Sequence, residues 1–238
     1  MFDYAKPAAK RGLTAAERVY RMIKAVIYDM DGTLMDSERV SIASWHETNR
    51  RLGISIPDDV LNSLIGRNAV SCRKIICDYL DGDEQLAGRA FQVHADLFDE
   101  LCLTELELKP GARESIDALR AAGCHVALAT STARVRAVAR LDRFGLVDAF
   151  EAITCGDEVE RSKPAPDIFL TAAERLHVEP EFCAVVEDSF NGVRAGHAAG
   201  MHVFMVPDVL QPTREVAALC DEVLPTLCEL PAAIARVR

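Results

Sequence analysis

Positive charge is scarce in this chain: 27 lysines and arginines stand against 37 aspartates and glutamates, a formal net charge of −10 at pH 7. Proteins that grip a nucleic-acid backbone present a basic face, so the balance argues against that partner. Long apolar runs are also missing. No stretch approaches the ~20 residues that a bilayer-spanning helix needs, so no membrane partner is expected. The eight cysteines (Cys72, Cys77, Cys102, Cys124, Cys155, Cys183, Cys220 and Cys228) contain no Cys-x-x-Cys pair and follow no secretory leader. They read as free thiols of a cytoplasmic protein, not as a disulfide framework. The six histidines are dispersed with none paired at ligand spacing, which argues against zinc and makes each a surface or core residue. No internal repeat or low-complexity tract interrupts the chain. What is present is 238 residues at 50% hydrophobic, enough to bury a large core with room for an insertion.

The start of the chain has its own composition. Through Lys24 it carries six basic and two acidic residues, a net of +4, which leaves −14 on the remainder. Thr14 to Glu17 has capping-box spacing ahead of Arg18-Val19-Tyr20, so a short helix is expected in an extension covering residues 1–21. An organelle transit peptide is the alternative, and Asp3 and Glu17 weaken it.

From Met22 onward short apolar strands alternate with segments of helical period. The strand candidates are Ala25 to Tyr28, His125 to Ala129, Ala152 to Thr154, Cys183 to Val186 and His202 to Val206. This alternation predicts an α/β fold, a parallel sheet doubly wound by helices. Between Ser37 and Leu108 the rhythm changes to helical patterns alone. Ser37 can cap a helix running through Trp45 to Leu52, Gly53 can end it, and Pro57-Asp58 can begin the next. The expected organisation is therefore a core made of residues 22–36 and 109–238, interrupted by an all-helical insertion over 37–108.

Chemistry-bearing residues gather at the ends of the strands, where ligands bind in doubly wound sheets. Asp29-Met30-Asp31-Gly32-Thr33-Leu34 follows the first strand and turns two carboxylates, two residues apart, to one side. A bare Asp-x-Asp is equally compatible with a solvated strand end. Thr130 closes the second strand ahead of Ser131 and Thr132, a group that can also serve as a helix cap. Lys163 opens Lys163-Pro164-Ala165-Pro166-Asp167, where Pro164 can occupy a helix start and set the lysine beside a positive helix end. Glu187-Asp188 ends the strand Cys183 to Val186. Unpaired carboxylates are costly to bury, so four of them gathered in one place call for a cation.

These four clusters, in this order and spacing, resemble the motifs of the haloacid dehalogenase-like hydrolases, in the group with a helical cap inserted after the first motif (phosphoglycolate phosphatase and β-phosphoglucomutase-like members). The resemblance covers Met22 to Leu230 and implies a Rossmann-like core beneath the cap. It implies that Asp29 is the nucleophile that attacks phosphorus and that Asp31 is general acid and base. Thr130, Ser131, Gly32 and Thr33 would meet phosphoryl oxygens, and Lys163 would pair with the nucleophile and the transferring group. By the same resemblance Mg²⁺ is the cofactor, ligated by Asp29, the backbone carbonyl of Asp31, and Asp188, with Glu187 at or beside it. Gly66-Arg67-Asn68 falls where relatives place a specificity loop, which makes Arg67 a substrate-binding candidate.

The activity so implied is Mg²⁺-dependent hydrolysis of a small phosphomonoester, such as a sugar phosphate or phosphoglycolate, through an aspartyl-phosphate, by a monomer or weak dimer. Asp31 disfavours a dehalogenase, whose leaving halide needs no proton. Phosphonate-cleaving relatives use a cap lysine, and Lys74, the one lysine between Asp36 and Lys109, reads as a solvated helix residue. β-Phosphoglucomutase-like relatives carry a histidine twelve residues after the nucleophile, where this chain has Ser41. A mutase therefore remains the alternative activity, and a silent phospho-ligand or protein-binding member the alternative of another class.

Overall fold

A computed structural model describes residues 23–65 and 69–237. Six strands, β1 (Ala25–Tyr28), β2 (His125–Thr130), β3 (Ala152–Cys155), β4 (Cys183–Glu187), β5 (His202–Met205) and β6 (Glu222–Val223), form one all-parallel sheet. Their order is β3-β2-β1-β4-β5-β6, so β1 lies at the centre and the later strands are added outward on both sides. Ala25 pairs with His125 on one side and Cys183 on the other, and the register continues to Tyr28 beside Leu128 and Val186. Every residue of β1 is fully buried, as a strand covered on both faces requires.

Among the described residues, four helices follow β1 before the chain returns to the core at Lys109: α1 (Ser37–Leu52), α2 (Asp58–Asn62), α3 (Ala69–Tyr79) and α4 (Glu84–Cys102). They enclose their own core of Trp45, Ile56, Leu61, Ile76, Ala87 and Ala90, and form the helical cap. Gly53 ends α1 in the left-handed conformation at φ 65°, its N–H donating to the Asn49 carbonyl. The chain enters and leaves this insert by two adjacent segments: Asp36 N–H donates to Glu107 O (2.9 Å) and Lys109 N–H to Leu34 O (2.9 Å).

The sheet is wound by α5 (Ala112–Ala121), α6 (Arg134–Arg143), α7 (Asp167–Leu176) and α8 (Phe190–Ala198), with short α9 (Arg214–Ala217) and α10 (Leu230–Ile234) near the end. Alternation along the strands decides what each face holds. Val26, Tyr28, Val126, Leu128, Ala184 and Val186 pack with Ile116 and Leu119 of α5, Leu141 of α6, and Leu230 and Ile234 of α10. Ala25, Ile27, Ala127, Ala129 and Val185 face Ile168, Phe169, Ala172 and Ala173 of α7. All eight cysteines are free. Among the described residues no helix is long and apolar enough to cross a membrane.

Several local expectations change. Pro164 does not begin a helix: α7 starts at Asp167 behind Pro166, so Lys163 sits in the preceding turn. Ser37 is the first residue inside α1, Asp36 holds the cap position, and no side chain caps the helix. Neither Ser131 nor Thr132 caps α6; Asp157, from the loop after β3, accepts from Arg134 N–H at 3.1 Å instead. A partner distant in sequence has replaced the local cap. The expected N-terminal helix, residues 1–21 and the Gly66-Arg67-Asn68 loop lie outside the described residues.

Candidate active site

Strands β1, β2 and β4 are neighbours in the sheet, so their carboxyl ends bring Asp29, Thr130, Glu187 and Asp188 together. The ladder reaches into these residues: Thr130 is in register with Cys155 and Glu187 with Met205, while Asp29 N–H donates to Val186 O at 2.9 Å. The polar groups thus inherit the rigidity of the sheet.

Lys163 is buried between them. Its ammonium donates to Asp29 Oδ1 (2.5 Å), Glu187 Oε1 (2.7 Å) and the Ala129 carbonyl (3.2 Å). Burial works against its charge, but Asp29 and Glu187 outweigh that and hold its pKa above the ordinary lysine value. The second oxygen of Glu187 accepts from the N–H groups of Asp188 (3.0 Å) and Ser189 (2.9 Å) and from the Ser189 hydroxyl (2.9 Å). Glu187 is therefore spent on holding Lys163 and the loop. Gly192 makes this fit possible, since a Cβ there would lie 1.7 Å from Glu187 Oε1.

Asp188 is packed against the first turn after β1. Thr33 Oγ1 donates to its Oδ1 at 3.1 Å, and a Cβ on Gly32, which sits at φ +81°, would lie 2.3 Å from its Oδ2. Only glycine meets both the left-handed backbone and that close approach. Carboxylate oxygens of Asp29, Glu187 and Asp188 fall within 4.8 Å of one another, all buried. Burial, partly offset by Lys163, pushes Asp29 up to about 8, and burial followed by the charge of Glu187 raises Asp188 well above the ordinary value. Three buried carboxylates against one ammonium form a hard-oxygen site with a surplus of negative charge, and those residues fit a divalent cation such as Mg²⁺.

The Asp31 side chain stands apart from that cluster. Its Oδ1 accepts from Arg140 Nη1 (2.9 Å) and its Oδ2 from the Thr132 hydroxyl (2.7 Å). Thr130 is buried, and its hydroxyl oxygen accepts from Thr132 N–H at 3.1 Å. Ser131 is exposed; its backbone carbonyl lies where a Cβ on Gly156 would come within 2.2 Å.

A cavity of about 550 Å³ opens beyond Asp31, walled by the loop after β2, by α6 and by cap helices α1 and α4. Five titratable or charged groups there lie outside the motifs: Glu38, His94, Asp99, Arg136 and Arg140. Burial and then the charge of Asp31 push Glu38 up to about 7. His94 lies between the Trp45 ring (4.3 Å, 21°) and the Phe98 ring (5.9 Å, 8°), with Nε2 3.3 Å from Ser41 Oγ. Burial lowers its pKa to about 4 despite its hydrogen bond to Ser41. Ser37 Oγ, on the same wall, is buried without a hydrogen-bond partner. Lys74 pairs with Asp78 at 2.8 Å on the exposed side of α3, as a solvated helix residue does.

A parallel doubly wound sheet with carboxylates and a lysine at its central strand ends, under a helical cap, defines a class of phosphoryl-handling hydrolases. A haloacid dehalogenase-like hydrolase family model matches residues 23–200, and the chain belongs to that family. It is similar to a phosphoglycolate phosphatase of Nitrosospira multiformis, 33% identical over 212 residues, covering 87% of this chain and 93% of that protein. It is also similar to a phosphorylated carbohydrates phosphatase of Thermotoga maritima, 34% identical over 182 residues, with 75% and 82% covered. Among solved structures, CbbY from Rhodobacter sphaeroides in complex with phosphate superposes with a TM-score of 0.71 at 28% identity, covering 89% of this chain and 99% of that one. The protein is a phosphoric monoester hydrolase.

Proposed function

We propose that the chain hydrolyses a small phosphomonoester, a sugar phosphate or a phosphoglycolate-like metabolite, through an aspartyl-phosphate on Asp29 with Mg²⁺ as cofactor. The observation that carries this reading is the buried Lys163 ammonium, shared by Asp29 and Glu187 beside Asp188. A carboxylate nucleophile must meet an anionic ester, and a fixed cation at that carboxylate offsets the repulsion.

In the forward step an Asp29 oxygen bonds to phosphorus, the bond from phosphorus to the leaving oxygen breaks, and Asp31 gives that oxygen a proton. Water then attacks the phosphorus of the acyl-phosphate and gives a proton back to Asp31, releasing phosphate and restoring Asp29. Thr130, Ser131 and the Gly32-Thr33 turn surround the phosphoryl oxygens. Mg²⁺ held by Asp29, Asp188 and the Asp31 carbonyl would supply charge neutralisation. The cavity of about 550 Å³ is of small-metabolite size and offers Ser37, Glu38, Ser41 and His94 as partners for hydroxyl groups.

A mutase is the second reading, favoured by one observation: an imidazole absent from position 41 is brought to Ser41 by His94 of α4. The test of the main reading is phosphate release from p-nitrophenyl phosphate by chelator-treated protein. The expected result is no release until Mg²⁺ is added, and none from Asp29→Asn, which is nearly isosteric and keeps the fold. Full activity in excess chelator, or in Asp29→Asn, would refute it.

A further inference from the structure

Arg140 is the most deeply buried arginine of the cavity wall, and it lies in none of the four motif clusters. Its guanidinium bridges two carboxylates from different parts of the fold: Nη1 donates to Asp31 Oδ1 at 2.9 Å and Nη2 to Asp99 Oδ1 at 3.3 Å. Asp99 belongs to cap helix α4. Its other oxygen pairs with Arg136, one helical turn from Arg140 on α6, at 2.8 Å. Phe98, next to Asp99, lies under the Arg140 guanidinium, 4.7 Å from its carbon to the ring centroid. A planar fork with fixed spacing between its nitrogens transmits the position of one partner to the other, which a flexible ammonium does not. With Thr132 on Oδ2, both oxygens of Asp31 are held by protein donors, so its aim is set by Arg140 and Thr132.

We propose that Arg140 is a positioning residue for Asp31, and that Asp99 makes this aim depend on how the cap is seated against α6. The inference rests on the role given to Asp31 above. Motion of α4 away from α6 takes Asp99 from Arg136 and Arg140, and the guanidinium then has Asp31 as its one remaining carboxylate. Motion toward α6 restores the shared geometry in which Asp31 Oδ1 is held by a fork anchored on both sides. Proton delivery to the leaving group is thereby tied to the seating of the cap.

The test compares phenyl phosphate with p-nitrophenyl phosphate, which have similar shapes but unequal need for a proton, since p-nitrophenol leaves readily without one. Their kcat/KM values report formation of the phosphoenzyme, before the water step. Arg140→Gln is expected to lower kcat/KM for phenyl phosphate about 100-fold, the scale of a positioned proton donor, and that for p-nitrophenyl phosphate less than about tenfold. Asp99→Asn, on a side chain that is 37% exposed and so tolerant of change, should move the ratio of the two the same way by about threefold. The double variant should be no worse than Arg140→Gln alone, as expected for residues acting in one chain. Arg140→Lys, which keeps the charge and loses the fork, should fail to restore the ratio. An unmoved ratio in Arg140→Gln, or additive losses in the double variant, would overturn the inference while leaving phosphatase activity in place. A wild-type chain inactive on both esters would instead overturn the function on which the inference rests.

Discussion

His94 shows how one residue acquires properties that its neighbours in sequence do not foretell. Between Trp45 and Phe98, with solvent largely excluded, the imidazole is favoured in its neutral form, and its pKa falls from 6.5 to about 4. The unfolded chain therefore binds more protons than the folded one between those values. Stability contributed by neutral His94 is complete above pH 6.5 and is lost as pH falls toward 4. Glu38 works with the opposite sign, since a carboxyl raised to about 7 favours the fold at low pH, but it is present in wild type and variant alike. His94→Phe keeps a ring in the stack and removes the titration. Urea unfolding at pH 6.5 and pH 4.5 should show wild type losing on the order of 1–2 kcal/mol more than the variant over that interval. Equal losses would mean that His94 is solvated.

At the scale of elements, α4 shares with α1 the cap's wall over the cavity, contributing His94, Phe98 and Asp99. Asp83 fixes where it begins: the Asp83 side chain accepts from Leu86 N–H at 2.9 Å. Asp83→Ala should cost about 1 kcal/mol in global stability, as loss of an N-cap does, read by the denaturation midpoint. A change below a few tenths would show that packing alone sets the helix start. The strands of the core were legible in the sequence because a strand buried on both faces has to be a continuous apolar run, and β1 to β5 were placed to within a residue at each end. β6 was not legible: Glu222–Val223 is two residues long at the sheet edge and carries no periodicity. That Asp29, Thr130, Glu187 and Asp188 are neighbours was legible because all four stand at the ends of adjacent strands, whereas the side chain of Asp31 turns away to Thr132 and Arg140. Arg140, Asp99, His94 and Glu38 were not legible, because what joins them is the docking of α1 and α4 on α6. Asp157 capping α6 from 23 residues away has the same cause.

At the scale of the whole molecule, two packing units with separate apolar cores meet over a polar cavity, and on the proposed mechanism that division would decide how the phosphoenzyme is spent. On that mechanism, the sheet unit that fixes Asp29, Lys163, Glu187 and Asp188 would form the intermediate, and the cap would decide whether water or a sugar hydroxyl reaches it next. A mutase must exclude water until a second sugar phosphate is seated, with a proton carrier ready for its hydroxyl. Here the residue twelve positions after Asp29 is Ser41, whose hydroxyl is a weak proton carrier at neutral pH, and the neighbouring His94 is held neutral by burial. Water is therefore expected to win. Incubation with β-glucose 1-phosphate and a bisphosphate primer should release inorganic phosphate with negligible glucose 6-phosphate, measured by phosphorus NMR. Efficient isomerisation with little phosphate release would make the chain a mutase using His94 in place of a histidine at position 41. His94→Phe separates the two cases further: it should abolish such isomerisation, whereas hydrolysis, which on the proposed mechanism draws on Asp31 for protons, should fall by less than about tenfold.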